Sequence, residues 1–319
     1  MCELRVIVVV NLMRKLPRLS AFPITPTDEN GVVDTEGLSK LVQRLIDAKV
    51  HSIGLLGSTG SYPYLSRSER RRAIDVTVKT IKANNAYHRP ELLVGIGALN
   101  TREVVELARD AKYAGASAGL LAPVSYQKLS DEEVFNLFKM VSDAVDLPLI
   151  IYHNQNTTGF TFTPPLVRKL SQLEYVAGVK YPSSRGTAED AVRSHCTWTS
   201  DLITGNKILF FGYSGDATIV ESLIAGGHSW FSVVAGIFPK VSMAIVEAVH
   251  REDYQEARRL HARLQPLWDL FNELSSYRVT YAAVKVLGLC ACAPPLPVMP
   301  LGEDDVDRVV KVIEALQLE

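Results

Sequence analysis

The chain has 319 residues, of which 47% are hydrophobic and 22% are charged, and its net charge is −1 at pH 7. This length and composition allow a large buried core and exclude a disordered or fibrous protein. The near-neutral charge and the lack of a long Lys/Arg block argue against a nucleic-acid partner. A small-molecule partner is therefore the first expectation.

Residues 1–16 are interpreted as an N-terminal extension. Their apolar run at residues 5–10 is too short to span a membrane. Arg14 and Lys15 follow this run, whereas the basic residues of a signal peptide precede its apolar segment. We therefore expect no membrane partner.

The cysteines lack the spacing and the neighbouring histidines of a zinc site. They are Cys2, Cys196, Cys290 and Cys292. Reduced thiols in a cytoplasmic protein are the simplest interpretation.

Strand-like runs alternate with amphipathic helices from residue 16 onwards. The first unit comprises a strand over residues 16–24, a polar turn and a helix capped by Asp34, in which apolar residues recur with helical spacing. These apolar residues are Leu38, Leu41, Val42, Leu45 and Ile46.

The same unit repeats along the next two hundred or so residues. Further strands are predicted at residues 51–56, 92–98, 118–122, 147–152, 176–180, within 202–211 and at 230–234. Helix starts are predicted from capping boxes at Ser66/Glu69 and Ser130/Glu133, from caps at Thr101 and Thr163, and near residues 187 and 216. Eight strands that alternate with helices predict a closed (β/α)8 TIM barrel, an α/β fold, and not an open doubly wound sheet.

The pattern becomes purely helical after residue 238. We therefore predict a barrel over residues 17–238 and a C-terminal helical appendage over residues 239–319. The appendage would be available for oligomer contacts, although a separate lid is an equally open interpretation.

Lys180 ends an apolar, strand-forming run that begins at Tyr175 and breaks at Pro182. A strand buried on both faces has no place for an ammonium group, so this side chain either reaches solvent or does chemistry at the strand end. A buried amine favours its neutral form, and neutral lysine attacks ketones to form a Schiff base. The run alone leaves both interpretations open.

Other reactive groups also follow strand ends, where barrel enzymes have their active sites. Tyr152 could move a proton there, or it could be an ordinary core tyrosine. The Gly-Ser-Thr-Gly turn at residues 57–60 suits a carboxylate, although glycine turns close many such units. His153 is expected on the opposite face of its strand from Tyr152. Asp216 is expected to cap its helix or to meet a polar substrate tail.

These residues and their order resemble the dihydrodipicolinate synthase/N-acetylneuraminate lyase family over residues 18–300. Each motif is weak alone, and the set is specific. The motifs are Gly57-Ser58-Thr59-Gly60, Leu65-Ser66 with Glu69-Arg70, Ile151-Tyr152 with Thr158-Gly159, Gly178-Val179-Lys180, and Gly226-Gly227 with Ser232-Val233.

The resemblance implies a class I mechanism in which Lys180 forms an imine with pyruvate or a related 2-oxo acid and Tyr152 shuttles protons. An iminium withdraws electrons, so a neighbouring carbon can form or break a bond without a metal or an organic cofactor. The resemblance also implies a homotetramer or a dimer.

The remaining site residues are likewise implied by the resemblance. Ser58 would relay protons and, with Thr59 and the turn glycine Gly57, hold the substrate carboxylate. Phe231 would offer its backbone carbonyl to the substrate.

Three positions depart from the family pattern. Ser61 replaces the usual glutamate after the turn. Thr157 stands where dihydrodipicolinate synthases have an arginine for the second substrate's carboxylate, and the loss of this bidentate partner argues against dihydrodipicolinate synthesis. Ser125 aligns with a second family tyrosine, whose role Tyr126 could take unless it is simply an exposed loop residue.

The main functional prediction is a Schiff-base lyase, either an aldolase or a dehydratase, that acts on pyruvate or a 2-oxo sugar acid. The polar residues 153–156 suggest a hydroxylated substrate tail. One alternative is a non-catalytic or regulatory barrel that binds a 2-oxo acid, and another is a dihydrodipicolinate synthase. A metal-dependent barrel enzyme is a further alternative, against which the scattered histidines argue.

Overall fold

The structure is a computed structural model that describes residues 17–28, 30–84, 88–199, 203–204 and 207–318. The expected N-terminal extension, residues 1–16, lies outside the described residues.

Eight parallel strands close into a barrel in the order β1-β10-β9-β6-β5-β4-β3-β2, which confirms the predicted (β/α)8 fold. The barrel strands are β1 (Leu19–Ala21), β2 (Ser52–Leu55), β3 (Glu91–Gly95), β4 (Ala118–Leu121), β5 (Leu149–Tyr152), β6 (Val176–Pro182), β9 (Phe210–Ser214) and β10 (Ser229–Ser232). Two further strands, β7 (Ile203–Thr204) and β8 (Lys207–Ile208), form a separate antiparallel pair.

Helices follow the barrel strands and continue to the C-terminus. They are α1 (Thr35–Asp47), α2 (Arg67–Ala83), α3 (Thr101–Ala114), α4 (Asp131–Ala144), α5 (Gln155–Thr158), α6 (Pro164–Ser171), α7 (Ala188–Thr199), α8 (Ile219–Ile224), α9 (Pro239–His250), α10 (Tyr254–Arg263), α11 (Gln265–Leu274), α12 (Ser276–Val286) and α13 (Glu303–Leu316). Within the described part of the chain, no helix has the length and apolar character needed to cross a membrane.

Helix α1 has the cap and the buried apolar face that its sequence predicts. The Asp34 carboxylate accepts hydrogen bonds from the backbone N–H groups of Glu36 and Gly37 at 3.1 and 2.9 Å, which satisfies two free donors of the first turn. The predicted apolar face is buried, and burial of each large aliphatic side chain contributes roughly 1.5–3 kcal/mol.

Three local predictions were wrong in detail. The seventh barrel strand begins at Phe210, later than expected, because the buried run from Phe210 to Tyr213 is the one that pairs with β6. Asn100, not Thr101, caps α3, since its side chain accepts a hydrogen bond from the Glu103 N–H at 2.9 Å.

The third difference concerns the two capping boxes. At Ser130 and Glu133 both halves of the box are present, as predicted. Ser66 likewise accepts a hydrogen bond from the Glu69 N–H, but the Glu69 carboxylate accepts one from the Val33 N–H at 2.8 Å. Glu69 therefore ties α2 to the segment before α1 and does not complete a box.

The chain divides into two compact units. One contains the described residues between 91 and 230, with β3 to β6 and β9, together with residues 17 and 18. The other contains the described residues between 19 and 90 and between 231 and 318, and includes β1, β2, α1, α2 and the helices α9 to α13. The predicted boundary between a barrel and an appendage at residue 238 stays a prediction.

Candidate active site

Lys180 and Tyr152 are brought together by two adjacent strands. They are direct register partners in the parallel pairing of β5 with β6. The Lys180 Nζ lies 3.9 Å from the centroid of the Tyr152 ring, and the two residues are only 6% and 4% exposed. The interpretation in which Lys180 reaches solvent from the strand end is therefore excluded.

An aromatic cluster supports β6 behind Lys180. The ring of Tyr181, the next residue on the strand, lies 4.2 Å from the ring of Trp198 and 5.9 Å from that of Phe211, measured between centroids. Side chains of successive strand residues point to opposite faces, so this packing fixes the face on which Lys180 lies. The amine is thus held by the strand backbone and by the packing of its neighbour.

His153 belongs to the same cluster and lies away from the catalytic candidates, as predicted. Its ring is 4.7 Å from that of Tyr181, and its Nδ1 is buried without a hydrogen-bond partner among the described residues. Burial, and secondarily the charge of Lys180, lowers the pKa of His153 to about 4. His153 is therefore neutral at physiological pH.

The segment after β5 carries Asn154 and the short helix α5. The Asn154 amide donates to the Tyr152 hydroxyl at 3.5 Å, which is the outer limit of a hydrogen bond. Thr157 lies on α5 and is exposed, and its hydroxyl donates to the Asn154 carbonyl at 3.3 Å. The position where the family has an arginine is therefore open to a larger side chain.

Two other candidate residues, Tyr126 and Asp216, differ in their exposure to solvent. Tyr126 follows β4 and is 92% exposed, so in a single chain it is a surface residue. Asp216 is 6% exposed and accepts a hydrogen bond from the Trp230 Nε1 at 2.9 Å. Gly215 occupies the cap position before Asp216, so the alternative in which Asp216 caps its helix was wrong, and the alternative in which it meets a polar substrate tail stays a prediction.

The Gly-Ser-Thr-Gly turn directly follows β2. The Phe22 ring lies against Gly57 so closely that a Cβ there would be 2.5 Å from the Phe22 Cδ1. The Ser58 carbonyl accepts a hydrogen bond from the Ser61 N–H at 3.1 Å, and Thr59 is 6% exposed. The tight turn therefore requires glycine at residue 57, and it presents two hydroxyls after the strand end.

Ser61 anchors the end of this turn through a hydroxyl cluster that the sequence reasoning missed. Its hydroxyl lies 2.7 Å from the Tyr277 hydroxyl and 2.9 Å from the Tyr281 hydroxyl. Both tyrosines come from α12 at a spacing of four residues, which places them on one helix face. Burial raises the pKa of Tyr281, so its phenol stays protonated.

Phe231 lies in β10 and is 1% exposed. Its ring packs edge to face on that of Phe22 at 5.9 Å between centroids, and Phe22 also covers Gly57. One aromatic side chain thus contacts both the turn after β2 and the strand that carries Phe231.

In the described part of the chain, no group of three or more His, Cys, Asp and Glu side chains is placed to hold a metal ion. The expectation that catalysis needs no metal or organic cofactor stays a prediction.

Comparisons with known proteins give one consistent result. The model of the family described as the dihydrodipicolinate synthetase family matches residues 15–316. A 4-hydroxy-tetrahydrodipicolinate synthase from Parvibaculum lavamentivorans is 35% identical over 296 residues, which cover 92% of this chain and 96% of that protein.

Solved structures agree with the sequence relatives. A structure described as a dihydrodipicolinate synthase from Agrobacterium tumefaciens superposes with a TM-score of 0.89 at 43% identity, covering 96% of this chain and 99% of that one. A chloride-inhibited dihydrodipicolinate synthase from Acinetobacter baumannii, complexed with pyruvate, has a TM-score of 0.83 at 25% identity and covers 95% of this chain and 99% of that one.

The barrel fold and these relatives define a lyase of the class I Schiff-base type. The chain belongs to the dihydrodipicolinate synthetase family, as the sequence motifs predicted. The comparisons favour the alternative of a dihydrodipicolinate synthase over the main prediction of a 2-oxo sugar acid lyase.

Proposed function

We propose that this chain condenses pyruvate with a second carbonyl compound through an imine on Lys180. The observation that carries the proposal is the buried amine of Lys180, whose Nζ lies 3.9 Å from the ring centroid of Tyr152. A buried amine beside a phenol supplies the nucleophile and the proton donor that imine formation requires.

The neutral amine adds to the ketone carbon of pyruvate, and loss of water from the adduct gives the iminium. Removal of a methyl proton then gives an enamine, whose carbon attacks the carbonyl carbon of the second substrate. Tyr152 supplies and accepts the protons of these steps. Hydrolysis of the product imine returns the free amine.

We assign the carboxylate of pyruvate to the turn after β2. Ser58 and Thr59 offer hydroxyls there, Gly57 allows close backbone approach, and the Phe231 carbonyl is the acceptor that the family resemblance implies. Ser61 and its two tyrosine partners support this assignment because they fix the end of the turn.

Borohydride trapping tests the imine. With pyruvate present, reduction should add a three-carbon acid to the peptide that contains Lys180 and should inactivate the protein. Lys180→Ala should lose both trapping and turnover, whereas Lys128→Ala, which changes an exposed lysine, should retain both. Trapping on another lysine in the wild-type protein would refute the assignment.

The first candidate reaction is that of 4-hydroxy-tetrahydrodipicolinate synthase. Relatives with that name match this chain over 96% and 90% of their own length. The second candidate is aldol cleavage or dehydration of a 2-oxo sugar acid. It is favoured by the uncharged Thr157 and by the exposed polar side chains of Gln155 and Asn156 on α5. A turnover panel of carboxylated aldehydes and hydroxylated 2-oxo acids separates the two by their kcat/KM.

We further propose a cytoplasmic homotetramer or dimer in which Tyr126 serves a neighbouring copy. The 92% exposure of Tyr126 in the single chain supports this role. Sedimentation of the purified protein measures the assembly, and turnover that survives a chelator would support metal-free catalysis.

A further inference from the structure

A pair of thiols lies in the segment that follows α12, four and six residues after its last residue, Val286. The Sγ atoms of Cys290 and Cys292 are 3.0 Å apart, and both residues are half-buried free cysteines. A disulfide requires the sulfurs to approach to about 2.05 Å. Residues 290–295 belong to no helix or strand, so this approach breaks no helical or sheet hydrogen bonds.

The two cysteines contact different parts of the structure. Cys290 packs against the first turn of α1, where a Cβ added at Gly37 would be 2.9 Å from the Cys290 Cβ. Cys292 lines a cavity of about 630 Å³ together with Tyr64 and Lys285. The cavity gives a small reagent a route to Cys292, whose Sγ lies 3.0 Å from that of Cys290.

The hydrogen bond between the thiols lowers the pKa of Cys290 and raises that of Cys292. The thiolate is the form of cysteine that attacks oxidants, so Cys290 is the better nucleophile of the pair. Cys292 then resolves the oxidised sulfur.

We propose that Cys290 and Cys292 are a reversible oxidation site that closes to an intrachain disulfide with small hydroperoxides or low-molecular-weight disulfides. With hydrogen peroxide, the first sulfur takes one oxygen as the O–O bond breaks and water leaves. The second sulfur then displaces hydroxide, which leaves as water. Two thiols and one peroxide thus give one disulfide and two waters. With glutathione disulfide, Cys290 displaces one glutathione and forms a mixed disulfide, and Cys292 then displaces the second glutathione, so one disulfide is reduced as the other forms.

Peptide mapping of the whole protein tests this site. Reduced protein is treated with hydrogen peroxide or glutathione disulfide, alkylated and digested with trypsin, which places both cysteines in the peptide of residues 286–308. We expect this peptide to become lighter by two hydrogen atoms, to escape alkylation, and to regain two alkylation sites after reduction with dithiothreitol.

Cys196 is the internal control, because it is an exposed free cysteine. With glutathione disulfide, Cys196 should form a mixed disulfide with glutathione. The cysteine that remains in Cys290→Ser or in Cys292→Ser should do the same. The proposal is overturned if the wild-type peptide keeps two free thiols, or carries two glutathiones, at oxidant levels that fully modify Cys196. This outcome is read from the wild-type protein, so it does not depend on the folding of either variant.

Discussion

At the scale of single residues, the distance between Lys180 and Tyr152 is set by β-sheet register and not by a loop. The two residues are register partners in adjacent strands, and the neighbours Tyr181 and His153 are packed against each other on the opposite face. Such a pair is pre-organised, since neither side chain needs a loop to close before it is placed for reaction.

The phenol of Tyr152 can be removed with little change in shape. Tyr152→Phe keeps the ring beside the amine and loses the proposed acid/base group, so kcat should fall by about 10²–10⁴-fold. Because the lysine remains, pyruvate should still be trapped by borohydride, only more slowly. Steady-state and single-turnover kinetics measure the two effects, and a kcat near that of the wild type would exclude Tyr152 as the proton shuttle.

The hydroxyl cluster at Ser61 offers a second residue-scale prediction. Tyr281→Phe removes one of its two phenols, and the lost hydrogen bond should lower the free energy of unfolding by about 0.5–1.5 kcal/mol. If the cluster positions the turn for the carboxylate, KM for pyruvate should rise more than kcat falls. Tyr113→Phe, at a residue 81% exposed, is the matched control and should change neither quantity.

A double-mutant cycle separates positioning from general destabilisation. In Ser61→Ala/Tyr281→Phe both partners of the bond are absent, so the combined effect on KM should be smaller than the sum of the single effects. Additive effects would mean that Tyr281 does not act through Ser61.

A functional residue could be predicted from the sequence only when its neighbours in the chain marked it. Lys180 could be singled out because a cation at the end of an apolar strand is visible in a few residues of sequence. The hydroxyl cluster at Ser61 could not be predicted in this way, since Ser61 and Tyr281 are 220 positions apart in the sequence and only the fold brings them together. Asn100 and Thr101 are adjacent residues that can both cap a helix, and the prediction of Thr101 overlooked the stronger capping preference of asparagine.

At the scale of elements, the short helix α5 carries Thr157, at the position where the family resemblance implies an arginine. Thr157→Arg restores the cation of dihydrodipicolinate synthases at an exposed position. A charge-assisted hydrogen bond to a substrate carboxylate contributes about 1.5–3 kcal/mol, so KM for a carboxylated aldehyde should fall at least tenfold.

Thr157→Gln is the control for this change, since it adds length and hydrogen-bond donors without charge. It should lower that KM by less than the arginine does, because a neutral hydrogen bond contributes about 0.5–1.5 kcal/mol and a charge-assisted one about 1.5–3 kcal/mol. Equal effects of both variants would show that the arginine does not bind the carboxylate.

Element positions were predictable where the periodic pattern was strong. Strands β2 to β6 lie within or close to the expected ranges because each is a short apolar run bounded by polar turns. The seventh barrel strand was misplaced because the expected run merges with residues that form the antiparallel pair β7 and β8. A local pattern does not show which of two adjacent apolar runs enters the barrel.

At the scale of the whole molecule, three histidines link folding to pH, and of these His153 is the buried one. Burial lowers the pKa of His153 to about 4 and also lowers those of His195 and His228. In the unfolded chain these groups bind protons near pH 6.5, whereas the folded chain resists protonation until lower pH. Their contribution to stability is therefore complete above pH 6.5 and is lost as the pH falls toward 4.

Denaturant midpoints between pH 7.5 and pH 5 should therefore fall steadily, in a range where most carboxylates remain ionised. His153→Phe should flatten this dependence because it removes a group that protonates mainly in the unfolded chain, while its ring still fills the space beside Tyr181. A variant that keeps the full wild-type slope would mean that His153 does not carry the linkage. The charge of Lys180 also disfavours the protonated form of His153. Lys180→Ala should therefore make the pH dependence of the denaturant midpoint slightly shallower, which tests the interaction between the two residues independently of His153→Phe.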